Sequence, residues 1–382
     1  MKKVWRWFGP SDPIPLAMLP GIGVQGIATS LYRTPIGAVW QTEDILSLKQ
    51  YIESFGLTWQ VAETLPVHES IKYNGERAPR MTDYFQQSLA NLSQAGIRTV
   101  CYHFTPLIES IRTDFRFPLT NGEHTFNFDP VRFAYFDIRI LHRPRAQDNY
   151  TQDCLAAVED LSRIITPEEE RQLVQAILSE PRDFEYTALV KGNSTPVNHF
   201  HKLLNRYQHT GREQLRNNLT HFLQQLVPFA ERYGVKLALH PDDPPLPLFG
   251  LPRVASSVDD LGYLLQAVDN YYNGLTFCAG SLASGLHNDV EALSHRFVER
   301  THFLHLHAVE QYADGSFSET PRLDGYPDCS KLIRLFETKS PLIPYRIDHY
   351  PHTFHPMDIS ALHSPVNTFA QIDKIITAIN PS

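Results

Sequence analysis

Cysteine is scarce. The 382 residues hold four, Cys101, Cys154, Cys278 and Cys329, far apart and with no C-x-x-C pair. A chain this long does not need disulfides to hold a core, so the pattern excludes a disulfide framework and points to a reducing compartment. No apolar run approaches the ~18–20 residues that span a bilayer. Arg6, Pro10 and Asp12 interrupt the N-terminal stretch before an apolar segment can form, so no secretory signal is expected. Positive charge is in deficit. The 34 Lys+Arg face 42 Asp+Glu, a net charge of −8, which removes any general attraction to nucleic acid or anionic lipid. Short-period repeats and low-complexity linkers are missing too. With 42% hydrophobic and 20% charged residues, the composition is globular and excludes disordered, collagenous and coiled-coil chains. The expectation is a cytoplasmic protein with neither a membrane nor a nucleic-acid partner; a homo-oligomer is left open.

What is present is a recurring strand-like run. Eight short β-rich segments suit buried parallel strands: Val4–Phe8, Ile27–Leu31, Leu57–Glu63, Thr99–Phe104, Val235–His240, Leu275–Cys278, His302–His307 and Leu342–Asp348. Helical patterns separate them. Thr42-Glu43-Asp44 opens a run with Ile45, Leu48, Ile52 and Phe55 near one face, which Gly56 ends. Met81–Ala95 stops at Gly96, Arg212–Tyr233 at Gly234, and another helical stretch is expected to end at Asn273-Gly274. Strand–helix alternation repeated eight times is the arithmetic of a (β/α)8 TIM barrel, although seven or nine runs also fit the pattern. The fourth and fifth runs are too distant for one crossover. Residues from about 106 to 211 are polar and proline-interrupted, and read as a helical insertion on a single barrel domain spanning 1–382.

Two patterns suggest chemistry. Gly21-Ile22-Gly23-Val24-Gln25-Gly26 matches G-x-G-x-x-G, but a dinucleotide fingerprint follows a strand and opens a helix. Here the glycines follow the helix-like Leu16–Leu19 and lead into a strand, so the motif reads as a loop. The second pattern is four successive strands ending in metal-ligand types: His240, Cys278, His305 or His307, and Asp348. Strand C-termini converge on one face of a barrel, where a nitrogen, sulfur, nitrogen and oxygen set suits a divalent transition ion. His305 and His307 differ by two and share a strand side, so one would take the metal and the other a substrate. His349 beside Asp348 is a candidate general base.

These residues resemble the mannonate dehydratase family. The resemblance runs through Trp5–Pro13, Val61–Lys72, Gly96–Tyr102 and Arg112–Asp114, and is most specific at His240-Pro241-Asp242-Asp243-Pro244-Pro245 with Gly250-Leu251-Pro252-Arg253. It implies a TIM barrel with a divalent metal, typically manganese, although iron or zinc also suits a thiolate-containing site. It implies dehydration of the sugar acid D-mannonate to 2-keto-3-deoxy-D-gluconate in hexuronate breakdown. The metal ligands then fall on His240, Cys278, His305 and Asp348, and the catalytic histidine on His349. His307 stands where the family usually has arginine, and with Arg253 and Tyr350 it is an expected substrate contact. The chain also departs from the family. Ile359 takes the place of a tyrosine that serves as the second acid–base group, and Arg322 replaces a histidine. The departures raise two alternatives: an isomerase or epimerase on a related sugar acid, and a non-catalytic metal-binding sensor of sugar acids.

Overall fold

The computed structural model describes residues 1–10, 12–120, 122–178, 196–320, 323, 325–349 and 363–379. Twelve strands occur among them. In chain order they are β1 (Lys2–Arg6), β2 (Gly26–Thr29), β3 (Thr58–Glu63), β4 (Thr99–Tyr102), β5 (Asp114–Pro118), β6 (His124–Phe128), β7 (Lys236–Leu239), β8 (Asn273–Cys278), β9 (Thr301–Leu306), β10 (Val309–Gln311), β11 (Phe317–Glu319) and β12 (Pro344–Ile347). Eight of them close a parallel barrel in the order β1-β12-β9-β8-β7-β4-β3-β2. Each overlaps one of the eight runs read from the sequence. Short, doubly buried strands need side chains that pack on both faces. Inside the barrel Val4, Ala28, Val61, Cys101, Ala238 and Phe303 form a fully buried cluster, drawn from six strands. Cys101 serves there as a small apolar residue.

The outer layer is helical. In the helix Arg212–Tyr233, Leu215, Leu219, Phe222, Leu226 and Ala230 are buried at three- and four-residue spacing, so one stripe faces the barrel. Its end matches the expectation, since Gly234 adopts φ 64°, which an L side chain resists. At Asn273-Gly274 the structure departs from it. The preceding helix, Val258–Ala267, ends earlier, and both residues belong to β8. Asn273 Nδ2 donates to the carbonyls of Leu264 and Val268, each at 3.0 Å, and so caps that helix from within the strand. The glycine-rich motif begins in the second of two 3-10 turns, Leu16–Met18 and Pro20–Ile22, and ends on Gly26, the first residue of β2, which is the arrangement of a loop entering a strand.

Between β4 and β7 the chain forms the helices Pro130–Tyr135, Gln152–Ser162, Pro167–Leu178 and Pro196–Leu204. It also forms the antiparallel pair β5–β6, which the polar composition did not indicate. These strands are stabilised by a partner far along the chain. β6 pairs with β11, giving a second sheet in the order β10-β11-β6-β5. Asn127 Nδ2 crosses that pairing to the Phe317 carbonyl at 3.0 Å. Among the described residues, no helix is long and apolar enough to cross a membrane.

Candidate metal centre

Four strands that are neighbours in the barrel, β7, β8, β9 and β12, carry the candidate ligands to one end. His240 follows β7, and its N–H donates to the Tyr102 carbonyl at 2.9 Å. Cys278 ends β8 directly beside His305 of β9, and His305 lies beside Arg346 of β12. Asp348 follows β12, with its N–H on the Leu306 carbonyl at 3.1 Å. The ligand atoms of His240, Cys278, His305 and Asp348 all lie within 4.8 Å of one another, and all four residues are buried. Asp348 Oδ2 is 3.2 Å from His305 Nδ1 and 3.9 Å from Cys278 Sγ. His240 Nδ1 is 2.7 Å from the Pro241 carbonyl, which holds its proton on that nitrogen and leaves Nε2 with a lone pair.

A chain of charges sets the protonation of this cluster. Arg346 reaches Asp348 Oδ1 at 2.5 Å and Glu63 Oε1 at 2.8 Å, and Arg6 also meets Glu63 Oε1 at 2.8 Å. Burial pushes the Glu63 carboxyl up, but Arg346 and Arg6 outweigh it and hold it at about 2. Burial likewise opposes ionisation of Asp348, and Arg346 with His349 holds it well below the carboxylate range. Burial, followed by the charge of Arg346, lowers His305 to about 3, and burial lowers His240. Two neutral imidazoles and one ionised carboxylate are thus in the forms a metal ion takes up. Burial and then the Asp348 and Asp243 carboxylates push the Cys278 thiol up, so cation binding must displace its proton.

A second constellation adjoins the first. Glu319, the last residue of β11, is fully buried. Its Oε2 lies 2.8 Å from His307 Nδ1, and its Oε1 lies 3.0 Å from His349 Nδ1. His307 Nε2 is 3.1 Å from Cys278 Sγ, so the two groups touch. Arg112 donates to Glu319 Oε1 at 2.7 Å and pairs with Asp243 at 3.0 Å. His307, Glu319 and His349 also have ligand types within 4.8 Å of one another. With the Arg112 guanidinium on Glu319 Oε1, the group forms a hydrogen-bonded network. His349 has φ 46°, a left-handed conformation that costs a non-glycine residue about 1–2 kcal/mol. Burial lowers its basicity, but Asp348 and Glu319 outweigh that and raise it above the ordinary histidine value.

The structure therefore brings together all four expected ligands together with His307 and His349. Arg253 is buried and pairs with Asp242 at 3.6 Å, behind the loop that follows His240. Tyr350, Ile359 and Arg322 lie outside the described residues. Sequence reasoning missed Glu63, Arg346, Arg112, Glu319 and His103. Two of these were within reach of the strand-end argument. Glu63 ends β3, and His103 follows β4, where its ring stacks on His240 at 4.3 Å. Glu319, on a three-residue strand outside the barrel, carried no such signal.

The helix Ala279–Ala283 after Cys278 generates a test. A Cβ at Gly280 would stand 2.4 Å from two ring atoms of His307. Gly280→Ala is expected to displace that ring and cost about 1–3 kcal/mol, as overpacking does. Urea unfolding reads this directly, and an unchanged midpoint would contradict the packing described.

The chain is similar to known proteins along nearly its whole length. The D-mannonate dehydratase (UxuA) family profile matches residues 1–376. A mannonate dehydratase of Chromohalobacter salexigens is 38% identical over 362 residues, covering 92% of this chain and 90% of that protein. One from Saccharophagus degradans is 36% identical over 333 residues, covering 87% and 82%. The crystal structure of mannonate dehydratase from Streptococcus suis serotype 2 superposes with a TM-score of 0.77 at 28% identity, over 99% of this chain and 95% of that one. With the profile matching nearly end to end and two relatives above a third identical, the chain belongs to the D-mannonate dehydratase family, whose reaction converts D-mannonate to 2-keto-3-deoxy-D-gluconate.

Proposed function

We propose that this chain is a metal-dependent hydro-lyase that dehydrates D-mannonate, with His240, Cys278, His305 and Asp348 as its metal ligands. The convergence of those four buried donor atoms within 4.8 Å carries the reading. The mixed nitrogen, sulfur and oxygen set suits a divalent transition ion; manganese is the assignment, and iron and zinc are the competitors. Family membership supports dehydration over the isomerase or epimerase and sensor readings. Because the ligand thiol must stay reduced, the cytoplasm is the compartment that suits the site.

The residues divide the work by position. Bound in the cluster, a divalent ion would supply Lewis-acid stabilisation for negative charge developing beside the substrate carboxylate. His349, next to Asp348 and only part-buried, takes the C2 proton. His307, whose Nε2 lies 3.1 Å from Cys278 Sγ, is the proposed substrate contact. Arg253 orders the loop after β7 through Asp242, whose Oδ2 also accepts from Ala255 N–H and Ser256 Oγ. Burial of the whole cluster keeps bulk water from the developing charge.

Turnover of D-mannonate by the purified protein with added manganese, read as the 2-keto-3-deoxy product, tests the reading. Product is expected, and its absence with metal bound would overturn the substrate assignment. His349→Ala is expected to lower kcat on the order of 10²–10⁴-fold while keeping the metal, since His349 is a base and not a ligand. Loss of metal from that variant would contradict its role. Cys278→Ser is expected to lower metal content sharply, because a hydroxyl replaces a thiolate donor. Full metal occupancy by elemental analysis would remove Cys278 from the ligand set.

A further inference from the structure

We propose that Glu319, supplied by the sheet outside the barrel, is the positioning residue that holds His349 and His307 with their Nε2 atoms turned toward the metal cluster. The inference rests on the dehydratase reading for the role of His349, but its geometry stands separately.

The two oxygens of one buried carboxylate meet the Nδ1 atoms of two imidazoles, at 2.8 Å for His307 and 3.0 Å for His349. A carboxylate only accepts, so each imidazole must carry its proton on Nδ1. In the neutral ring each Nε2 is then the lone-pair nitrogen, pointing away from Glu319. For His307 that nitrogen lies 3.1 Å from Cys278 Sγ, and for His349 it lies 3.7 Å from Asp348 Oδ1. The rings stand edge to face with centroids 4.9 Å apart, so the carboxylate fixes them as a pair. Arg112 Nη2 comes within 3.3 Å of His349 Nδ1, but both sit on the same Glu319 oxygen, and the approach follows from that shared acceptor.

The carboxylate is itself held from outside the barrel. β11 is paired with β6 at Phe317–Phe128 and Ser318–Asn127. Thr125 Oγ1 donates to the Glu319 carbonyl at 3.0 Å. Phe317 stacks on Phe128 with centroids 5.5 Å apart, and the Arg112 guanidinium lies 4.9 Å above the Phe317 ring. Neither β6 nor β11 belongs to the barrel, yet together they place the atom that orients the base.

Glu319→Ala removes both acceptors and leaves Arg112 its pairing with Asp243, so no buried charge is left alone. The expected result is a fall in kcat of roughly 10²-fold or more, as loss of the orienting carboxylate produces in other carboxylate–histidine pairs. Metal content should stay within about threefold and kcat should fall by more than KM rises, the split that separates positioning from scaffold damage. In a His349→Ala background the same substitution should cost clearly less than in the wild type, because the part of its action that runs through His349 is already gone. Wild-type kcat in Glu319→Ala, or an equal loss in both backgrounds, would overturn the inference. A measurement on the unaltered chain covers the case in which the variant does not fold. In the zinc-loaded protein, histidine 15N shifts should show His307 and His349 protonated at Nδ1, and an Nδ1 without a proton in either would overturn it. If the wild-type enzyme leaves D-mannonate untouched, the dehydratase reading fails while the nitrogen shifts still decide the position of Glu319.

Discussion

Arg346 lies between two buried carboxylates, Glu63 and Asp348, and the site depends on that placement. An unpaired charge in the barrel interior would cost several kcal/mol and would neutralise by changing its protonation. The line Arg6, Glu63, Arg346, Asp348 instead alternates in sign and sums to zero. It also crosses the seam where the first and last strands meet, since β1 pairs with β12. Asp348 can therefore stay ionised at the barrel mouth without a metal to neutralise it. His305 stays neutral for the converse reason: it is buried and faces Arg346, whose Nε lies 3.2 Å from its Nε2.

The second sheet extends this logic beyond the barrel. Arg112 precedes β5, and Glu319 ends β11; both are delivered by connections between barrel strands. Their pair with Asp243 forms another alternating set, Asp243, Arg112, Glu319, with His307 and His349 at its far end. Two charge lines thus meet at the Asp348–His349 step. The barrel supplies the four clustered donor groups. The segments between its strands supply the groups that orient the histidines.

The barrel was readable because each strand is a compact apolar run, and local composition decides whether such a run can be buried. The four ligand positions were readable for a related reason: in this fold strand ends share one face, so sequence position implies convergence. Glu63 followed the same rule and was passed over because a carboxylate at a strand end resembles a solvated one until Arg6 and Arg346 are seen beside it. The pair β5–β6 was hidden because its stability comes from β11, and nothing in Asp114–Phe128 announces that partner. Asn273-Gly274 misled for a local reason. The pair has the composition of a helix stop, and Asn273 does cap a helix, but its backbone belongs to the next strand.

The order of the ligands along the chain has a consequence for how the protein is made. His240, Cys278, His305 and Asp348 all lie in the C-terminal part of the chain, on strands added last, while Arg6 and Glu63 come from its beginning. A nascent chain released before Asp348 would lack the carboxylate of the cluster, and one whose β1 had not yet met β12 would lack Glu63, the counter-charge that reaches Arg346 across the seam. The proposed ion would then meet its full set of donors only once β12 has joined β9. Because metal binding stabilises whichever state holds the ion, it favours that finished state over every shorter or half-closed one. The metal in this reading works as an inspector of assembly before it takes part in any reaction.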